Sequence, residues 1–278
     1  MTWSFQIGKL FGIPLRIHVT FFLLLLLVAA PAQTMSGVGR VSGALFVVTL
    51  FACVIIHELA HSLMARKYGI PVRYIILLPI GGVAMMERMP DDPHQELNVA
   101  VVGPLVSLAI AVVLSAVVFL VGGNAQTFLS PLHAGGASFV ARLAWVNIML
   151  AGFNILPAFP MDGGRVLRAL LAFHMDYAAA THTAAIVGQA LAIVGGAFAF
   201  FTHEWFLVLI ALFIYMGATS EDTQVRVRRT LREQPELEIR FTEAIRADSY
   251  YQGSVVLFLH PMHQALVDEL RAERRGGE

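Results

Sequence analysis

Charge is what this 278-residue chain has least of. Asp, Glu, Lys and Arg together make up 14% of it, whereas 57% is hydrophobic, and the mean hydropathy is +0.71. A water-soluble domain carries nearer a quarter charged residues, so an ordinary soluble globule is excluded. There is one cysteine, Cys53, so no disulfide can form within the chain. Nineteen basic residues balance nineteen acidic ones, which leaves no field to attract nucleic acid. The first 220 residues hold no Ser/Gly-rich or Pro-rich linker and no repeat, so they read as one packed unit.

What is present is a series of long apolar runs: Ile17–Ala30, Val41–Ala65, Leu97–Val121, Phe139–Leu156, Ala184–Phe201 and Trp205–Gly217. Crossing a hydrocarbon core takes roughly 20 helical residues. The runs therefore imply an all-α polytopic membrane protein with about six transmembrane helices. If the amino terminus is cytoplasmic, alternating spans place Lys9, Arg16, Arg66, Lys67, Arg73, Arg88, Arg165 and Arg168 in the cytoplasm and only Arg40 and Arg142 outside. That asymmetry satisfies the positive-inside rule and puts both termini in the cytoplasm. The stretch from Lys9 through "FFLLLLLVAAPAQ" also fits a secretory signal, but cleavage there would remove a span and spoil the asymmetry.

Two segments interrupt the pattern. "VRYIILLPIGGVAMMERM" has β-branched and aromatic residues before the Gly81–Gly82 pair, which predicts a small membrane-associated β-hairpin between the second and third helices. Lipid tolerates such backbone only where protein covers it or water reaches it. From Glu221 to Glu278 the composition turns polar, which suggests a short cytoplasmic tail with one strand-like stretch, "SVVLFLHP".

The most polar residues stand where they cost most. "FACVIIHELAHSLMARKYG" sets His57, Glu58 and His61 inside an apolar span, where each charge costs about 2.5 to 3.5 kcal/mol. On a helix His57 and His61 share a face one turn apart and can bind one zinc ion, with Glu58 beside it to take a proton from water. The alternative, three core polar groups satisfying one another, lacks the compensation that a cation supplies. Two histidines leave a catalytic zinc short of a protein ligand. Asp162 in "GFNILPAFPMDGGRVLRALL" is the best candidate, between the helix-breaking Pro157 and Pro160 and the flexible Gly163–Gly164 pair. Cys53 lies on the same helical face and reads as a packing residue rather than a further ligand. Of the other histidines, His18 is placed to support the site, and the rest lack ligand spacing.

With "HELAH" at 57–61, "NILPAFPMDGG" at 154–164, "GIPLRIH" at 12–18, the Gly81–Gly82 pair and "NVAVVGPLVS" at 98–107, residues 1–220 resemble the site-2 protease family of intramembrane zinc metalloproteases. The resemblance implies zinc, one ion per chain, held by His57, His61 and Asp162. It also implies Glu58 as general base and Asn154 as a group holding substrate or the tetrahedral intermediate. Neither the PDZ domain nor the CBS pair that many members carry has room here. The implied activity is hydrolysis of peptide bonds in or near transmembrane segments of membrane-anchored proteins, such as anti-sigma factors or signalling precursors. The zinc would lie about 14 Å below the cytoplasmic end of its helix at 1.5 Å per residue, with the active site opening toward the cytoplasm of a plasma-membrane protein. The Gly81–Gly82 hairpin would offer its edge to an unwound substrate strand. The competing readings are a divalent-metal transporter, which needs further ligands along several spans, and a proteolytically inactive membrane scaffold, against which the intact Glu58 argues.

Overall fold

A computed structural model describes residues 3–23, 37–79, 81–88, 90, 92–124 and 136–233. Its elements are β1 (Ser4–Leu10), β2 (Ile13–His18), α1 (Gly37–Lys67), β3 (Val72–Leu78), β4 (Gly81–Met86), α2 (Pro93–Leu120), α3 (Gly136–Ile155), α4 (Asp162–Ala172), α5 (Tyr177–Phe201) and α6 (Trp205–Glu233). Four helical stretches are long and apolar enough to cross a membrane: Leu45–Lys67, Pro93–Leu120, Tyr177–Phe201 and Trp205–Arg229. Phe139–Ile155 is apolar but shorter. The expected count of six is thus not met among the described residues, and the second half of the run from Ile17, with most of the signal-like stretch, lies outside them.

The expected hairpin is half of something larger. The strands form one four-stranded sheet in the order β1-β2-β3-β4, with β1–β2 and β3–β4 antiparallel and β2–β3 parallel. All-α with a single hairpin is therefore corrected to a helical protein with a mixed sheet. The missed signal is the alternation Ile13, Leu15, Ile17 with Pro14, Arg16, His18, a period of two that a reading focused on the following apolar run passes over. Ile13, Leu15, Ile75 and Leu77 pack on Val47 and Phe51 of α1, joined by Phe21, whose ring meets Phe51 edge-on at 4.6 Å.

Local chemistry sets the element ends. At the β1–β2 turn Phe11 and Gly12 both take positive φ, and Arg66 Nη1 donates to the Phe11 carbonyl at 2.6 Å, fastening that turn to the end of α1. Past Lys67 the chain leaves the helix through Gly69 in the left-handed region, with the Ile70 amide donating back to Ala65. Asp92 caps α2, its carboxylate accepting from the His94 amide, and Asp176 caps α5 in the same way through Ala179.

Contacts divide the chain into two compact units. One comprises Thr2–Leu156 with Met161–Val166, and so contains the sheet, α1 to α3 and the start of α4. The other comprises Pro157–Pro160 and the chain from Leu167 onward. In the second unit the Ala158–Pro160 loop, with a cis Phe159–Pro160 bond, packs against two helical glycines. A Cβ on Gly188 would sit 3.1 Å from Ala158 Cα, and one on Gly217 would sit 2.5 Å from Pro160 Cδ. Arg168 is wholly buried, stacked on Phe159 and Tyr177 and paired with Glu221 of α6 at 2.5 Å. The expected division between 220 and 221 falls inside α6, which runs on to Glu233. "SVVLFLHP" lies outside the described residues.

Removing the carboxylate from a buried cation is costly. Glu221→Ala should destabilise the protein by about 3 kcal/mol, measured as a lowered melting temperature in detergent.

Candidate metal centre

His57 and His61 stand four residues apart on α1, so both rings leave the same face. Their Nε2 atoms are 3.1 Å apart, and Asp162 Oδ2 lies 3.2 Å from His57 Nε2 and 3.1 Å from His61 Nε2. All three side chains are buried. Asp162 reaches them because α3 stops at Ile155, and the chain passes Pro157 and Pro160 before restarting as α4 at Asp162 itself. The next residue has to be glycine, since a Cβ on Gly163 would lie 2.1 Å from the Leu156 carbonyl oxygen and 2.3 Å from that of Ile155.

The far side of each ring is held from α2. His61 Nδ1 is 2.6 Å from the carbonyl oxygen of Val99, which can only accept, so Nδ1 carries a proton. In the neutral ring that metal binding requires, Nε2 is then a bare lone pair facing Asp162. His57 Nδ1 is 2.9 Å from Ser107 Oγ. Two imidazole nitrogens and a carboxylate oxygen so close together repel one another unless a cation lies between them. Zinc–ligand bonds of about 2.0 to 2.1 Å at tetrahedral angles place ligand atoms roughly 3.3 Å apart, so this donor set fits zinc with a fourth position left for water. Among the described residues, His57, His61 and Asp162 are the group of three that could hold a metal.

Room for the ion comes from α2. A Cβ on Gly103 would fall 2.1 Å from His61 Nε2 and 2.8 Å from His57 Nε2. Gly103, Ser107 and the Val99 carbonyl were not singled out as site residues from the sequence. The available signal was a Gly–Pro step inside an apolar helix with a serine four residues on, at "VVGPLVS".

Glu58 projects toward the sheet, where its Oε2 accepts from the Ala84 amide of β4 at 3.2 Å. Gly82 is pressed against it, because a Cβ there would meet Glu58 Cγ at 2.6 Å and Val54 Cγ1 at 3.1 Å. The expected hairpin glycine and the expected base are thus neighbours. Asn154 differs: its Nδ2 donates to the Leu150 carbonyl of its own helix at 2.9 Å, and it does not join the metal group. Nor does Cys53, which is buried in α1, or His18, whose Nδ1 lies 2.8 Å from Thr20 Oγ1. A methyl group at position 103 would overlap both imidazoles while suiting a helix well. Gly103→Ala should therefore weaken zinc binding about tenfold or more with little loss of helical content, as checked by chelator competition and circular dichroism.

The pattern of peptidase family M50 matches residues 45–195. A zinc metalloprotease of Methanocaldococcus jannaschii is 39% identical over 231 residues, covering 82% of this chain and 63% of that protein. Stage IV sporulation protein FB of Bacillus subtilis is 26% identical over 61% of this chain and 52% of its own length. The chain thus spans less than two thirds of either relative. Among solved structures, the site-2 protease from Methanocaldococcus jannaschii is similar at a TM-score of 0.58 and 38% identity, over 79% of this chain and 95% of that one. With a family match over more than half its length that takes in His57, His61 and Asp162, this chain belongs to peptidase family M50.

Proposed function

We propose that this chain is a zinc-dependent intramembrane endopeptidase, hydrolysing peptide bonds in or near the transmembrane segments of membrane-anchored proteins. The observation that carries this reading is the three-ligand group, His57 and His61 within an apolar helix and Asp162 at the start of α4, with a carboxylate, Glu58, directly beside it. Bound zinc would raise the acidity of a water molecule and polarise the scissile carbonyl. Glu58 takes the proton of the attacking water and then delivers it to the departing amine. His57, His61 and Asp162 hold the ion, and the bonds to Ser107 and Val99 keep the rings aimed at it. Asn154 stands at the end of α3, eight residues before Asp162, and would turn its amide from Leu150 toward the bound peptide to steady the developing oxyanion.

A helical substrate hides its peptide bonds and must be unwound. The two edges of the sheet differ in how they could receive such a strand. β1 carries Lys9 and a bulge between Gln6 and Gly8, both devices that discourage pairing at an edge. β4, "GGVAMM", has neither charge nor proline, and its Gly82 and Ala84 lie against the catalytic carboxylate. The unwound segment would add to β4 as a further strand, which brings its backbone beside Glu58. Arg66 and Lys67 end α1 nine residues beyond His57, so water would enter from that end, the cytoplasmic one by the positive-inside rule. The protein would be seated in the plasma membrane with both termini in the cytoplasm. Anti-sigma factors and signalling precursors with one membrane span are the expected class of partner. A metal transporter would call for a second ligand group along its path.

Glu58→Gln should retain zinc and lose peptide cleavage by about a hundredfold to ten-thousandfold, measured on a single-span substrate in detergent or liposomes. Gly82→Pro removes a backbone donor and crowds Glu58, and should cut turnover about a hundredfold while zinc content stays near stoichiometric.

A further inference from the structure

Asn147 lies in the middle of α3 and is wholly buried. Its Nδ2 donates to the Leu143 carbonyl at 2.8 Å, but its Oδ1, equally buried, accepts nothing among the described residues. An orphaned acceptor in an apolar interior is destabilising and calls for an explanation.

The complementary donor is on the helix packed against it. Ser62 and Ser115 do what serines in apolar helices ordinarily do and donate to the carbonyl four residues back. Ser107, also wholly buried, has its bond with His57 Nδ1 instead. When His57 offers Nε2 to a metal, its Nδ1 carries the proton, and Ser107 Oγ must accept it. The serine proton is then left for another acceptor.

The two groups lie within about one helical turn of each other in level. Phe46 of α1 meets Phe139 and Arg142 of α3, and Asp162, a few residues beyond the end of α3, meets His57 and His61. Helices α1 and α3 therefore run the same way, with His57 level with roughly residue 150 of α3, about one turn from Asn147. Helix α2, which carries Ser107, packs against both.

We propose that Asn147 ends a hydrogen-bond relay that fixes His57 in its metal-binding tautomer. In it, His57 Nδ1–H donates to Ser107 Oγ, Ser107 O–H donates to one ordered water, and that water donates to Asn147 Oδ1. Asn147 Oδ1 has no direct partner among the described residues, and a buried water with partners on both helices would supply the link. Asn147 is a positioning residue, acting on zinc through His57, and the proposal rests on the zinc reading above.

The test is zinc affinity of the full-length chain in detergent, by chelator competition, for wild type, Ser107→Ala, Asn147→Leu, the double variant and Asn147→Asp. Each of the first two substitutions should weaken zinc about tenfold, and the double variant should be no weaker than the weaker single one. Asn147→Asp keeps an acceptor oxygen but loses the amide bond to Leu143, and should bind within about twofold of wild type. Additive losses, wild-type affinity in Asn147→Leu, or an Asn147→Asp as weak as Asn147→Leu would each overturn the relay. If Asn147→Leu does not fold, Asn147→Asp is read against wild type and Ser107→Ala: affinity within about twofold of wild type supports the relay, and affinity as weak as that of Ser107→Ala overturns it. Failure of the wild type itself to bind zinc would instead overturn the metal reading, a distinguishable result.

Discussion

Everything in the first compact unit depends on holding three electron-rich atoms about 3 Å apart where there is little water to separate them. His57 Nε2, His61 Nε2 and Asp162 Oδ2 meet at 3.1 to 3.2 Å, deep in apolar surroundings. Such a cluster needs positive charge between its members, which a metal ion supplies, and the backbone has to bring the atoms together. Helix α1 supplies the two histidines from one face, α4 starts on the aspartate, and α2 comes close enough through Gly103 for the ion to be enclosed. The glycines at 103 and 163 are as much part of the centre as its ligands, because a single methyl group at either would displace it.

The sheet answers a second constraint. Strands at membrane depth leave backbone donors and acceptors exposed unless protein covers them. Here Ile13, Leu15, Ile75 and Leu77 close one face of the sheet against α1. The β4 edge remains beside Glu58, where Gly82 and Ala84 leave no side-chain bulk between the strand and the carboxylate. A soluble metalloprotease can take its substrate from water as an extended chain. Within a bilayer an unwound segment has to be offered the hydrogen bonds it gave up, and under the proposed function the open β4 edge would do so.

How much of this could be read from the sequence follows from the range of the interaction concerned. His57 and His61 were legible because a four-residue spacing on one helix is local, and their cost in lipid makes a chance occurrence improbable. Asp162 was legible because prolines before it and glycines after it mark a place where backbone leaves one helix for another. Gly82 beside Glu58 depends on how β4 lies on α1, a packing relation without a spacing rule, so its role could be expected only as part of a hairpin. Ser107, Gly103 and the Val99 carbonyl were harder still: a serine, a glycine and a backbone oxygen within an apolar helix carry no signature until α2 is seen against α1. Strands β1 and β2 were missed because a two-residue alternation of six residues adjoins a much longer apolar run. Asn154 is marked by resemblance alone, and its side chain donates to Leu150 of its own helix.

Zinc held jointly by His57, His61 and Asp162 is what the proposed chemistry requires. X-ray absorption at the zinc edge of the purified full-length protein tests it most directly, since it reports the kind and distance of the ligand atoms. The expected spectrum is that of one zinc per chain with two imidazole nitrogens at about 2.0 to 2.1 Å, the remaining ligands oxygen, and no sulfur. A sulfur shell near 2.3 Å, which would bring in Cys53, or a spectrum without imidazole scattering would contradict it.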